Sequence, residues 1–555
     1  MTSVVTAGGA SVTVRGVVVD ESEAVLDRLV SDGVPRSLAT GNAKLWGPDA
    51  APEAARRLGW LRLPETSRPL VERLARLAGE ARGAGLDRIV LAGMGGSSLA
   101  PEVIARSAGA ELTVLDGTDP GQVAAVLADR LDRTLVVVSS KSGTTVETDA
   151  LRRVFEHAFW EAGLSGDELA RRFVVVTDPG TPLEGLAADA GYRTVLADPE
   201  VGGRYSALSA FGLVPAALAG VDVTRLLDEA AALEPALQQP YENPALSLGA
   251  ALGASALAGH DKLVLADQGS GLPGFGDWVE QLVAESTGKD GKGILPVVLE
   301  NAQAPGFELT EDVRRVVLGS RPDEDAPGAE AGLSVAGPLG AQFLLWEYAV
   351  AVAGRVLGVN PFDQPNVAES KDNTAALLRA EEGTAPTVIR AAPALVCGAV
   401  EVHAPEGLLK GVKDLPGVLD RLLETVPDGG YLAVMAYLDR DGDAAAAGLR
   451  ARLAARGARL RKRPAPVTFG WGPRFLHSTG QYHKGGPQNG VFVQVTGENA
   501  ADIAVPGKPY SLGQLQLAQA FGDLRALRGR RRPAVRLHLH DRAEGVAQLL
   551  AALPG

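Results

Sequence analysis

A chain of 555 residues, 46% apolar and without long low-complexity tracts, has material for about three packed domains. Its net charge of −13 argues against binding along a nucleic-acid backbone, which needs clustered Lys and Arg, yet allows a local site for a small anion. Cys397 is the single cysteine, so no internal disulfide forms; the residue reads as a buried inert thiol, the chain opens without a secretory pattern, and the expected location is the cytoplasm.

A mixed helical pattern over residues 22–77 leads into alternating strands and helices. Apolar runs at 88–91, 112–115, 135–138 and 173–176 read as strands, which indicates a parallel sheet covered by helices on both faces. Ligands of such sheets bind beyond the carboxyl ends of the strands. Two loops lie there, Gly93-Met-Gly-Gly-Ser-Ser98 and Ser139-Ser-Lys-Ser-Gly-Thr-Thr-Val-Glu-Thr148. A second α/β unit begins near Pro244, with strands at 262–265 and 294–299 and a helix over 277–286. The stretch 319–332, rich in Asp, Glu, Pro and Gly, reads as an exposed excursion. The apolar segment 341–359 carries Glu347 and Arg355 and reads as a buried helix; no membrane span is expected. Pro361-Phe-Asp-Gln-Pro365 breaks the chain before a helix ending near Arg379, and 381–386 reads as a linker. A third α/β unit follows, with a strand at 395–402, a helix at 415–425, a strand at 431–437 and more strands to 539. Within it the basic run Arg528-Gly-Arg-Arg-Arg532 reads as a solvated helix end. The domains are therefore expected at 1–240, 241–380 and 387–555.

The hydroxyl-rich loop identifies a candidate chemistry. A strand that ends in Ser, Gly and Thr and then enters a helix presents free N–H groups and hydroxyls to one point, where the helix dipole also favours an anion. An ordinary helix cap needs one or two hydroxyls, not Ser140, Ser142, Thr144, Thr145 and Thr148 together. The loop Gly93-x-Gly95-x-x-Ser98, with Asp116 ending the next strand, also nearly fits a dinucleotide fingerprint, although Ser98 replaces its third glycine. A second hydroxyl-rich loop suits a monophosphate better.

Gln281 and Glu285 are four apart and share one helix face, at a rim where a carboxylate can remove an acidic C–H proton if burial raises its pKa towards neutrality. In Gly202-Gly-Arg-Tyr-Ser206 two glycines allow close approach while Arg204 addresses an oxyanion. Lys371 is a second candidate cation. Read singly, each of these residues is also compatible with a solvated surface position.

The ordered blocks GMGGSSLAPE, SSKSGTTVET, GGRYS, ESTGKDGKG and NPFDQPNVAESK, spread over about residues 60–378, resemble the signatures of the glucose-6-phosphate isomerase family of the sugar isomerase domain superfamily. The resemblance implies two doubly wound parallel-sheet sugar isomerase domains, here followed by a C-terminal α/β domain. It implies a phosphate held by Gly96, Ser97, Ser140, Ser142 and Thr145 with the Lys141 backbone, and Thr148 beside them. Glu285 takes the place of the family's base, Arg204 that of its enediolate-stabilising arginine, Gln281 and Gln364 those of substrate-contacting glutamines, and Lys371 that of the lysine at the ring oxygen. The implied reaction converts glucose 6-phosphate to fructose 6-phosphate through a cis-enediolate, in glycolysis or gluconeogenesis. No metal or redox cofactor is expected, because the substrate's own carbonyl acidifies the C–H bond.

The family also uses a histidine in ring opening, and none lies between Glu300 and Lys371. The nearest candidates are His477 and His483 in FGWGPRFLHSTGQYHKGGPQNGVF, a block similar to the isomerase part of fused transaldolase-isomerase proteins. His538-x-His540 lacks nearby ligands in the sequence to argue for metal. The family's common homodimer is an expectation here, against which an appended histidine would make each chain self-sufficient. A dual phosphoglucose/phosphomannose isomerase and a non-catalytic sugar-phosphate regulator are the rival readings; joint presence of Glu285, Arg204 and Lys371 favours catalysis.

Overall fold

Strand runs such as Thr134-Leu-Val-Val-Val-Ser139 and Phe173-Val-Val-Val-Thr177 lack polar alternation, which suits only a sheet covered on both faces. A computed structural model places them so: every residue of both runs is buried. The structure describes residues 1–308, 310–320, 328–330, 332–379 and 392–554, without the side chains of 367–371 and 379. The expected excursion at 319–332 falls for the most part, and the linker at 381–386 wholly, outside the described residues.

The hairpin β1 (Thr2–Ala7) and β2 (Ala10–Arg15) opens the chain. Five parallel strands follow, β3 (Arg88–Gly93), β4 (Thr113–Leu115), β5 (Thr134–Ser139), β6 (Phe173–Thr177) and β7 (Arg193–Leu196), in the order β4-β3-β5-β6-β7. The second sheet contains β8 (Lys262–Asp267), β9 (Leu295–Leu299), β10 (Val313–Leu318) and β11 (Leu333–Ala336), in the order β1-β2-β11-β10-β8-β9. Residues 2–15 thus complete the second sheet, although the sequence groups them with the first domain. Val14 pairs antiparallel with Leu333, and Val12 and Val14 are buried in the core, which fixes the register.

The third sheet runs β12-β13-β17-β16-β14-β15. Its strands are β12 (Leu395–Cys397), β13 (Val400–His403), β14 (Tyr431–Tyr437), β15 (Val467–Trp471), β16 (Gly490–Gly497) and β17 (Ala534–Leu539). The single strand expected at 395–402 is a hairpin, and Cys397 on its edge is half-buried. In all three sheets the first parallel strand lies between the second and the third: β3 between β4 and β5, β8 between β9 and β10, β14 between β15 and β16. The crevice between the first and third is the switch point where such sheets take ligands.

Successive residues of a strand face opposite sides, and here opposite sides belong to different cores. Ile89, Leu91, Leu135 and Val137 join a core shared with the second sheet's Leu263 and Leu265. Val264, Ala266, Leu295 and Val297 on the other face pack with Tyr431, Ala433 and Met435 of the third sheet. Val505, Leu512 and Leu515 of the third domain complete the outer core of the first. Segment 341–359 corresponds to the buried helix Leu339–Leu357, and among the described residues no helix is long and apolar enough to cross a membrane.

Candidate active site

At the switch point of the first sheet the loops after β3 and β5 face each other across a cleft of about 470 Å³. A Cβ on Gly96 would stand 1.9 Å from the Gly203 carbonyl, so only glycine lets the loop carrying Ser97 meet the loop carrying Arg204. After β5, Ser140 and Thr145 pair through their hydroxyls at 2.9 Å, and Ser142 and Thr144 at 3.0 Å. No side chain caps the helix Val146–Glu161 that follows, which leaves its first N–H groups free to receive an anion. Ser97, Lys141, Ser142 and Thr145 line the cleft; Ser140 stands behind Thr145, and Thr148 is buried with its hydroxyl unpartnered. The Lys141 ammonium is paired with Asp178, itself a lining residue of the cleft.

Another wall of the cleft comes from the helix Phe275–Thr287. Phe275, Trp278, Val279, Leu282 and Val283 recur at helical spacing and are fully buried. At about 1.5–3 kcal/mol for each large side chain, they anchor the helix firmly. The other face carries Gln281 and Glu285. Glu285 Oε1 lies 3.2 Å from Arg204 Nη1, and Gln281 Nε2 donates to Glu285 Oε2 at 3.3 Å. Arg204 Nη2 donates to the carbonyls of Phe362 and Asp363 (2.8 and 3.0 Å) and to Gln364 Oε1 (2.9 Å). Gln364 thereby joins the cleft as both its wall and the guide of Arg204. Apart from that ion pair of Arg204 Nη1 with Glu285, the buried Arg204 Nη1 and Gln281 Oε1 have no hydrogen-bond partner among the described residues.

The third domain closes the remaining side. Gln281 Nε2 donates to the His477 carbonyl at 2.8 Å, and His477 Nε2 lies 3.0 Å from Glu147 Oε1, which also accepts from Gln519 at 2.6 Å. Gln481 bonds Gly288 and Asn366, at 2.9 to 3.0 Å, which ties the helix Gly480–Gly485 to the end of the helix Phe275–Thr287. His483 lies elsewhere. It is buried against Tyr431, whose hydroxyl meets its Nδ1 at 2.9 Å, and burial with Lys484 and Arg532 nearby lowers its pKa to about 3. The basic run at 528–532 ends the helix Leu512–Gly529 with Arg528 and Arg531 exposed, as expected, while Arg530 and Arg532 donate to the carbonyls of His483, Lys484 and Pro487 and steady this same insertion.

Lys371 lies on the helix Val367–Arg379, and its side chain is outside the described residues. Sequence reading missed Glu147, Gln519 and Lys289. Lys289 is lowered to about 8 by burial and by Arg204, and donates to the carbonyls of Asn360 and Asp363 at 2.6 and 2.7 Å. Arg204 and Lys289 thus grip one loop between them. The dinucleotide reading loses its acidic residue, because Asp116 is engaged by Arg474 and Arg440 at 3.2 and 3.3 Å.

The sequence model of the phosphoglucose isomerase family matches residues 67–294. The glucose-6-phosphate isomerase of Symbiobacterium thermophilum is 32% identical over 393 residues, covering 58% of this chain and 86% of that protein. That of Rubrobacter xylanophilus is 33% identical over 381 residues, covering 56% and 87%. A glucose-6-phosphate isomerase from Chlamydia trachomatis shares the fold with a TM-score of 0.53 at 21% identity, over 70% of this chain and 92% of that one.

Proposed function

Because this chain belongs to the phosphoglucose isomerase family and interconverts glucose 6-phosphate and fructose 6-phosphate, we propose that it transfers the proton through Glu285, in a site completed by its own third domain. Ser97, Ser142, Thr145 and the Lys141 N–H hold the phosphate, with Ser140 orienting Thr145 and Thr148 behind. Each bond to the charged group contributes about 1.5–3 kcal/mol, and the helix N-terminus adds about 0.3–1 kcal/mol. The hydroxyls therefore dominate the anchoring.

His477, oriented by Glu147, moves the proton that ring opening requires, a task suited to imidazole near neutral pH. Glu285 then removes the C2 proton of the open sugar, Arg204 Nη1 stabilises the enediolate oxygen, and Glu285 returns the proton to C1. Lys371 is assigned to the ring oxygen by its place in the NPFDQPNVAESK block. With His477 in the same polypeptide, the reading needs no second subunit. The observation that carries it is the buried Arg204 Nη1 held 3.2 Å from the Glu285 carboxylate, with Gln281 Oε1, which lacks a hydrogen-bond partner among the described residues, on the same cleft wall. A buried acceptor such as Gln281 Oε1 costs about 1–3 kcal/mol when left unsatisfied, and a hydroxyl of a polyhydroxy substrate satisfies it.

Isotope exchange between the C2 hydrogen and solvent tests this. Glu285→Gln should lose exchange and turnover together by about 10²- to 10⁴-fold, with unchanged circular dichroism. His477→Gln should lose turnover with little change in KM, added imidazole should restore part of it in His477→Ala, and turnover per chain should not change on dilution. Wild-type exchange in Glu285→Gln would end the assignment.

A further inference from the structure

The third sheet repeats the strand order of the other two and so has a switch-point crevice of its own, between the carboxyl ends of β14 and β16. An open cleft of about 520 Å³ lies there and shares no lining residue with the isomerase cleft. His538 and His540, at the end of β17, line it. The fold brings them Glu498 from just beyond β16 and Glu401 from β13.

One ligand atom from each of Glu498, His538 and His540 lies within 4.8 Å of the others. Glu498 Oε1 and His540 Nδ1 are 3.2 Å apart, close to the edge of a tetrahedron around an ion with bonds of about 2.0–2.1 Å. Both imidazoles are oriented through their other nitrogen: His540 Nε2 lies 3.0 Å from Glu401 Oε1, and His538 Nδ1 lies 2.9 Å from Thr496 Oγ1. His538 Nε2 is thereby left to ligate. Carboxylates and hydroxyls that hold a ligating imidazole by its far nitrogen are how metal sites fix tautomer and ring direction. Arg536 is the one cation among the lining residues, and it is directed to Thr496 Oγ1 at 3.2 Å and over the Phe521 ring. Glu401 and Glu498 oppose its charge.

We propose that Glu498, His538 and His540 bind a divalent transition-metal ion of the zinc class, with Glu401 and Thr496 orienting the two imidazoles and the fourth position open to the cleft. Two nitrogens and one carboxylate favour zinc over the oxygen-seeking calcium and magnesium. The ion joins the ends of β16 and β17.

The test is titration of chelator-treated full-length protein with Zn²⁺ by calorimetry and with Co²⁺ by visible absorption. The expected result is one ion per chain, a four-coordinate cobalt spectrum, and a thermal midpoint that rises with zinc. Glu401→Gln should weaken binding by about 10- to 100-fold, and Glu498→Gln and His540→Ala, both at exposed positions, should lose it. Absence of saturable zinc binding overturns the proposal, as does binding unchanged in both variants. Loss of binding in His477→Gln with retention in His540→Ala would place the ion in the isomerase cleft and overturn it equally.

Discussion

Arg204 spends one nitrogen on three acceptors and sets the other against the Glu285 carboxylate. A lysine keeps the charge but cannot do both, so Arg204→Lys should lower kcat by about 10²- to 10³-fold, the cost of one missing oxyanion donor, with thermal stability as the control. Glu347 is a contrasting residue: it is fully buried on the helix Leu339–Leu357, both carboxylate oxygens lack partners, and burial alone pushes its pKa well above 4.5. The unfolded chain ionises Glu347 above pH 4.5 while the folded chain keeps it protonated, so wild-type stability falls as pH rises through that window. Glu347→Met should therefore be more stable by about 1–3 kcal/mol near neutral pH, and its advantage should shrink towards pH 5 in paired thermal melts. Glu285 and Arg204, the residues proposed as base and oxyanion stabiliser, were legible as cleft residues because each sits in a short block of distinctive neighbours. Glu147 was not: its partner His477 is 330 residues away, and a glutamate in the first turn of a helix reads equally well as a favourable charge at the dipole.

The element that shapes the site is the insertion carrying Arg474 to Gly490, clamped at its start by ions and at its end by carbonyls. Arg474 lies 3.0 Å from Glu102 and 3.2 Å from Asp116, and Arg440 binds the same two carboxylates. Burial opposes the charge on Glu102, but Arg474 and Arg440 outweigh it and hold the carboxyl at about 2. Its folded pKa lies below 4.5, so the stability it contributes is complete above pH 4.5 and is lost as pH falls towards 2. Glu102→Gln should cost about 3 kcal/mol at pH 7, and the difference from wild type should narrow below pH 4.5; a constant difference in denaturation midpoints would remove Glu102 from the clamp. Elements without internal polar interruption were read closely, as with β14. β10 was missed because Arg314 and Arg315 break its apolar run, and their partners Glu21 and Glu330 belong to other segments.

At the scale of the molecule, the sheets were foreseen but their union was not. Periodicity tells which faces of a strand are apolar; it is silent on which neighbour covers them. Val264, Ala266, Leu295 and Val297 pack against the third sheet, so a fragment ending at residue 386 should expose a large apolar wall, bind hydrophobic dye, aggregate and lack isomerase activity. A monomeric fragment unfolding at the full-length midpoint would show that the domains stand alone. The hairpin β1–β2 has a related consequence for biogenesis. Val14 waits for Leu333, about 320 residues later, and at about 5–20 residues/s ribosomes need roughly 16 to 64 s to deliver that partner. During that interval the nascent chain carries an unclaimed ribbon edge, the first-made part of a layer that can only be finished late, and a chaperone or a transient local fold must shelter it until then.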